Sequence, residues 1–168
     1  RPSMITGDAI NGKTTDFKLF YQPLRYFIKE IFSKVPANLD CKLNLINVDT
    51  AAKAIVTLAG RNEVATYHIV SPTAVSVGSL VELASKYFCF EMPSFIPVEN
   101  FDFKDLTALQ KKLIMPFVPY LNYNVELIAT ISFAKLLENN FRSVEFGEAN
   151  LMKLFRYFYD SNFTKKTS

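Results

Sequence analysis

The chain has 168 residues, 49% of them hydrophobic and 14% aromatic, with a formal net charge of +3. That length supports a sizeable core, and the composition is globular rather than disordered. The basic residues are scattered, with the tightest clusters at Lys111-Lys112 and Lys165-Lys166, so no concentrated basic face for nucleic acid is expected.

In chain order, Pro2 to Thr6 is short and apolar and reads as a strand that enters a loop at Gly7-Gly12. From Phe17 the pattern turns helical, with Phe20, Leu24, Phe27, Ile28, Ile31 and Val35 on one face. Pro23 should sit in the first turn of that helix or kink it there, and Pro36 ends it. Leu43 to Ile46 is a strand candidate. Asp49 follows as the expected N-cap of a helix over 51–59, with Gly60 as its stop. Thr66 to Val70 is β-rich and reads as a buried strand.

Ser76 is placed to cap a helix over 77–88, with Leu80, Leu83, Ala84 and Tyr87 facing inward. Residues 89–100 read as irregular. A helix is expected from Asp102 to about Leu113. The apolar run Leu113 to Leu121, broken by Pro116 and Pro119, reads as core packing or as the lid or wall of a cleft. Tyr123 to Ala129 reads as extended. Thr130 or Ser132 opens a helix through Leu137, closed by Asn139-Asn140. A last helix over 149–160 turns Leu151, Leu154, Phe155 and Phe158 inward. The tally is about three short strands and six helices, a helix-rich α/β chain treated as a single domain. So few strands cannot build a complete doubly wound sheet. Either the helices pack as a self-contained binding module, or the strands extend a sheet whose remainder lies elsewhere. The opening at Arg1, on a strand with no polar tail, is expected of a piece of a longer protein.

The chemistry-bearing residues are sparse. Cys41 and Cys89 have no metal-type neighbours, and His68 is the only histidine, so neither a zinc site nor a disulfide framework is expected. A reducing, cytoplasmic setting fits. No apolar run approaches the roughly 18 residues of a membrane span. The stretch "GDAINGKT", Gly7 to Thr14, matches the phosphate-loop pattern G-x-x-x-x-G-K-[ST]. In that reading the loop amides cradle phosphates, Lys13 holds the outer ones, Thr14 binds Mg²⁺, and Asp49 is the second acidic residue. Asp8 inside the loop, Pro23 soon after it and the shortage of strands argue against an NTPase.

Four segments together carry a resemblance. "RPSMITGDAING", "LNLINVDTAAKAIVTLA", "ATYHIVSPTAVSVGSLVEL" and the tail "LLENNF…LMKLFRYFYDSNF" resemble, in order and spacing, the C-terminal part of extended short-chain dehydrogenase/reductases of the thioester reductase and fatty acyl-CoA reductase type. Ala9 stands where that family usually has Ser. The resemblance implies a parent enzyme that passes hydride from NADPH to an acyl thioester carried on a carrier-protein phosphopantetheine or on coenzyme A. It places Pro2, Ser3 and Met4 at the cofactor edge, and Gly7, Asp8 and Gly12 at the substrate entrance. Asp49 matches the family's Val-Asp position, and His68 its histidine; an N-cap and a core residue are the plainer roles. The family's Gly-rich turn and Tyr-x-x-x-Lys pair are not in this sequence. They belong to an N-terminal Rossmann half, without which the chain is expected neither to bind NADPH tightly nor to reduce a substrate. A bare sheet edge at Arg1 to Ile5 would follow, and with it a possible route to a homodimer.

Overall fold

The computed structural model describes all residues except 61–64, 123–126, 128–129, 139–140, 142–144 and 164–168. In chain order it contains β1 (Met4–Thr6), α1 (Tyr21–Ile28), β2 (Lys34–Pro36), β3 (Lys42–Leu43), β4 (Leu45–Asn47), α2 (Val48–Ala59), β5 (Val75–Ser76), α3 (Val77–Phe88), β6 (Ser94–Ile96), α4 (Ala108–Ile114), α5 (Val118–Asn122), α6 (Thr130–Leu137) and α7 (Glu148–Asn162). Two short 3₁₀ turns, Val98–Asn100 and Phe103–Asp105, stand before α4. The chain divides into two compact units. One comprises Arg1–Thr15, Asn44–Val75 and Glu126–Ser168; the other comprises Asp16–Leu43 and Ser76–Val125.

In the first unit β1 and β4 run parallel, pairing Met4 with Leu45, Ile5 with Ile46 and Thr6 with Asn47. A parallel pair needs a long crossover, because the chain must return to the same end before it can pair again. β4 passes into α2 with no intervening loop, so Asn47 is both the last strand residue and the N-cap. The alanine-rich face of α2 allows close approach to the strands. Ala51, Ala54 and Leu58 pack with Ile46, Ile69 and Leu136 in one buried cluster. α7 buries Leu151, Leu154, Phe155 and Phe158 at i, i+3, i+4 and i+7, the stripe its sequence predicts. The predicted strand at Thr66–Val70 reduces to one parallel bridge, Pro2 to Ile69. Ile69 accepts from the Ser3 N–H and donates to the Arg1 carbonyl, both at 3.0 Å. Only Ile69 and Val70 of that stretch are buried, and His68 is exposed, which corrects its expected core placement.

In the second unit β2 and β6 run parallel, with Val35 opposite Phe95. Both departures here share one cause. The aromatic stripe predicts a helix from Phe17 to Val35, yet α1 stops at Ile28. Glu30 takes a left-handed backbone (φ 50°), and the chain turns extended so that Val35 can pair with a strand from the stretch read as irregular. Tertiary pairing outweighs local period here. Pro23 does sit in the first turn of α1, and Ser76 does cap α3, its Oγ accepting from the Ser79 N–H at 3.0 Å. The expected helix from Asp102 is split: Asp102 caps a 3₁₀ turn, and Thr107 with Gln110 forms the capping box of α4. Of the 113–121 run, Ile114, Phe117 and Leu121 are buried while Met115 and Tyr120 are exposed. That i, i+3, i+7 burial is the core reading of the segment. The predicted strand at 123–129 and the Asn139-Asn140 stop lie mostly or wholly outside the described residues.

Candidate functional site

The loop after β1 is closed by its own hydrogen bonds. Asp8 Oδ1 accepts from the N–H groups of Ile10 (3.0 Å) and Asn11 (2.8 Å), an Asx-type turn. The Asp8 carbonyl accepts from Gly12 N–H at 3.1 Å, and the Asp8 N–H donates to the Lys13 carbonyl at 3.0 Å. Asn11 Oδ1 accepts from Lys13 N–H at 3.0 Å, and Asp49 Oδ1 accepts from Ala9 N–H at 3.1 Å. Every amide from Asp8 to Lys13 therefore points at a protein acceptor.

That accounting decides the phosphate-loop question. Phosphate binding at such a loop needs several amide N–H groups aimed at the ligand, and a helix N-terminus behind them. Here the amides are engaged, and no helix begins at Lys13: the next one starts at Tyr21. The match to G-x-x-x-x-G-K-[ST] is a coincidence of letters, and the NTPase alternative is set aside.

Two glycines let the loop lie down. Gly12 has φ 76°, and a Cβ there would strike the Lys153 carbonyl group. A Cβ on Gly7 would strike the Gly12 carbonyl group. Backbone thus meets backbone at both positions, which only glycine permits. α7 also grips the loop from the side: Lys153 Nζ donates to the Ala9 carbonyl at 2.7 Å.

Asp49 is not the N-cap predicted for it. It stands in the first turn of α2 and holds Ala9, while Asn47 occupies the cap position. The Asn47 side chain makes no capping bond. It donates from Nδ2 to the Gly7 carbonyl (2.9 Å) and accepts at Oδ1 from Asn150 Nδ2 (3.0 Å). Asn47 and Asn150 were not among the predicted site residues. The visible signal for Asn47 is a polar residue closing the apolar strand of "LNLIN".

The four residues from Pro2 to Ile5 differ in exposure. Pro2 and Ile5 are exposed, while Ser3 and Met4 are half-buried. Ser3 Oγ is buried and has no hydrogen-bond partner among the described residues. A buried hydroxyl without a partner is costly and marks a place where a ligand or neighbouring group can bond. Pro2, Ser3 and Met4 are bonded to Ile69 on one side and to the β4 segment on the other, so the sheet edge expected bare at Arg1 to Ile5 is covered over Arg1 to Met4, and Ser3 Oγ is its one buried polar atom without a partner among the described residues. β1 carries this stretch directly into the Gly7–Gly12 loop. His68 precedes the bridge residue Ile69, and its backbone N–H donates to Ser132 Oγ at 2.8 Å. A metal centre has no basis among the described residues, where no group of three His, Cys, Asp or Glu is close enough to hold an ion. No helix among them is long and apolar enough to cross a membrane.

No protein-family model matches the chain, and no curated protein matches it by sequence. Solved structures do match in fold. The terminal R domain of the myxalamid PKS-NRPS biosynthetic pathway superposes with a TM-score of 0.72 at 21% identity, covering 100% of this chain and 45% of that one. A thiolation-reductase di-domain from an archaeal non-ribosomal peptide synthetase gives 0.62 at 17% identity, over 97% of this chain and 40% of that one. UDP-glucuronic acid 4-epimerase from Bacillus cereus gives 0.59 at 9% identity, over 96% and 44%. The chain thus spans less than half the length of each of these structures. Its α/β fold is that of part of each of these structures.

Proposed function

We propose that the chain is the C-terminal, substrate-binding part of an NADPH-dependent thioester reductase. Such an enzyme reduces an acyl thioester, held on a carrier-protein phosphopantetheine or on coenzyme A, to an aldehyde or alcohol. The observation that carries the proposal is the likeness of the whole chain to a terminal R domain, with the four sequence segments in the matching order. The Gly-rich turn and the Tyr-x-x-x-Lys pair are then contributed by an N-terminal Rossmann half. A reducing, cytoplasmic setting fits the two thiols.

The residues present fit a nicotinamide cofactor at one edge. Ser3 Oγ is the buried polar atom that the carboxamide of such a ring would satisfy, with Pro2 and Met4 on either side. A related structure, RMD from Pseudomonas aeruginosa, is solved with NADPH. When bound, the cofactor supplies hydride. This chain's own contribution is to orient and to exclude water. Gly7, Asp8 and Gly12 make a preformed rim whose backbone needs no reorganisation when an acyl-pantetheine arm arrives, so less binding energy is lost to ordering. Ile10, 80% exposed at the tip of that locked turn, offers apolar contact to the arm.

The test is a titration of the ¹⁵N-labelled chain with S-octanoyl-pantetheine. The expected result is saturable amide shifts confined to Gly7–Gly12 and their neighbours, with no NADPH oxidation by the chain alone. Shifts that avoid the loop, or NADPH-dependent turnover by these 168 residues, would overturn the proposal.

A further inference from the structure

The loop is tied to α7 by a hydrogen-bond chain with a single direction. Gly147 N–H donates to Asn150 Oδ1 (3.2 Å), Asn150 Nδ2 donates to Asn47 Oδ1 (3.0 Å), and Asn47 Nδ2 donates to the Gly7 carbonyl (2.9 Å). A backbone N–H can only donate and a carbonyl can only accept, so the two ends fix which way both side-chain amides face. Neither amide can flip without breaking two bonds. Asn47 is 4% exposed, so its bonds have little competition from water. The link is also non-local: Asn47 and Asn150 are 103 positions apart, and Lys153, one turn further along α7, reaches Ala9 across 144.

We infer that Asn47 and Asn150 are positioning residues: their polarised amide chain sets the position of the Gly7 carbonyl, and so of the loop that carries Ile10, relative to α7. Resting on the proposed function, the inference is that the first turn of α7 tunes acyl-thioester affinity without touching the substrate. Asp49 and Lys153 hold the middle of the loop at Ala9; the asparagines hold its root.

The test uses Asn150→Asp and Asn150→Ala in the full chain. Asn150→Asp keeps the acceptor for Gly147 and removes the donor to Asn47, so it isolates the relay from the helix cap. Amide hydrogen exchange at Ile10, Asn11 and Gly12 is expected to rise about tenfold in both variants, one hydrogen bond's worth, with α3 amides unchanged. The dissociation constant for S-octanoyl-pantetheine is expected to rise about three- to tenfold, whereas Leu80→Val, a core change in α3, leaves it alone. Unchanged loop exchange in Asn150→Asp overturns the relay. Accelerated exchange with unaltered affinity overturns the tuning role. Failure of the wild-type chain to bind the probe sinks the proposed function and the tuning role together, and the exchange data alone then decide whether the relay holds the loop.

Discussion

Gly12→Ala tests the loop geometry on which the site depends. Two costs act together. An L-residue held at φ 76° sacrifices about 1–2 kcal/mol relative to its preferred backbone. The new Cβ also meets the Lys153 carbonyl carbon at 2.5 Å and the Leu154 nitrogen at 2.8 Å. These are helix backbone atoms, which cannot swing aside as a side-chain tip can. Relieving such overlap costs about 1–3 kcal/mol. The sum is a loss of roughly 2–5 kcal/mol. Gly7→Ala carries the steric part, against the Gly12 carbonyl carbon at 2.6 Å and Leu154 Cδ2 at 3.0 Å. Gly60→Ala is the internal control: nothing lies within 4 Å of its Cβ and φ is −73°, so it gains up to about 1 kcal/mol through the unfolded state. Urea melts followed by far-UV circular dichroism read all three. A Gly12→Ala midpoint equal to wild type would refute the packed-loop geometry.

Other expectations follow from the same structure. Asn47→Asp turns a donor into an acceptor facing the Gly7 carbonyl and should cost about 2–4 kcal/mol in the same melts; a neutral outcome would mean that the bond is not made. MgATP at about 1 mM should neither bind nor be hydrolysed, because phosphate binding needs open loop amides and those of 8–13 are engaged; calorimetry on wild type and Lys13→Ala should give the same flat trace. Phe155→Ala, at a fully buried site on α7, should lose about 3–5 kcal/mol. Exposed Cys89 should alkylate in the native state well before buried Cys41. Burial also pushes the Cys41 thiol above its ordinary range. A raised folded-state pKa contributes fully below the unfolded value of about 8.5 and is lost as pH rises through the folded value. The stability advantage of wild type over Cys41→Ala should therefore shrink on going from about pH 8 to about pH 10.

The helices with clean periodicity were legible in the sequence. α3 with its Ser76 cap and α7 with its Leu151–Phe158 stripe form where the spacing puts them, although α3 buries Val77, Leu80, Val81 and Ala84, so the predicted inward Leu83 and Tyr87 stay only half-buried. The α1 region misled because Phe27, Ile31 and Val35 fit a helical face equally well. Only the partner strand at Ser94–Ile96, some 60 residues on, makes the extended form of Lys34–Pro36 preferable. The loop at Gly7–Gly12 was legible, since glycines that bound a turn are a local signal. Asp49 was read as a cap because its own sequence neighbourhood supports one. Its actual role depends on a loop 40 positions away. Asn47 and Asn150 were missed for the same reason: each is an ordinary polar residue until the fold sets them side by side. The phosphate-loop match fails on a feature that no letter pattern carries, the direction in which the amides point.

Photo-crosslinking tests the central claim most directly. A diazirine-bearing acyl-pantetheine thioester is irradiated with the chain, and the modified peptide is identified by mass spectrometry. The account predicts labelling within the segment Met4 to Lys13, suppressed by excess S-octanoyl-pantetheine and halved or more in Asn150→Asp at subsaturating probe. Labelling that falls instead on α3 or β6, or that excess thioester does not suppress, would contradict the reading of this chain as the acyl-substrate part of a thioester reductase.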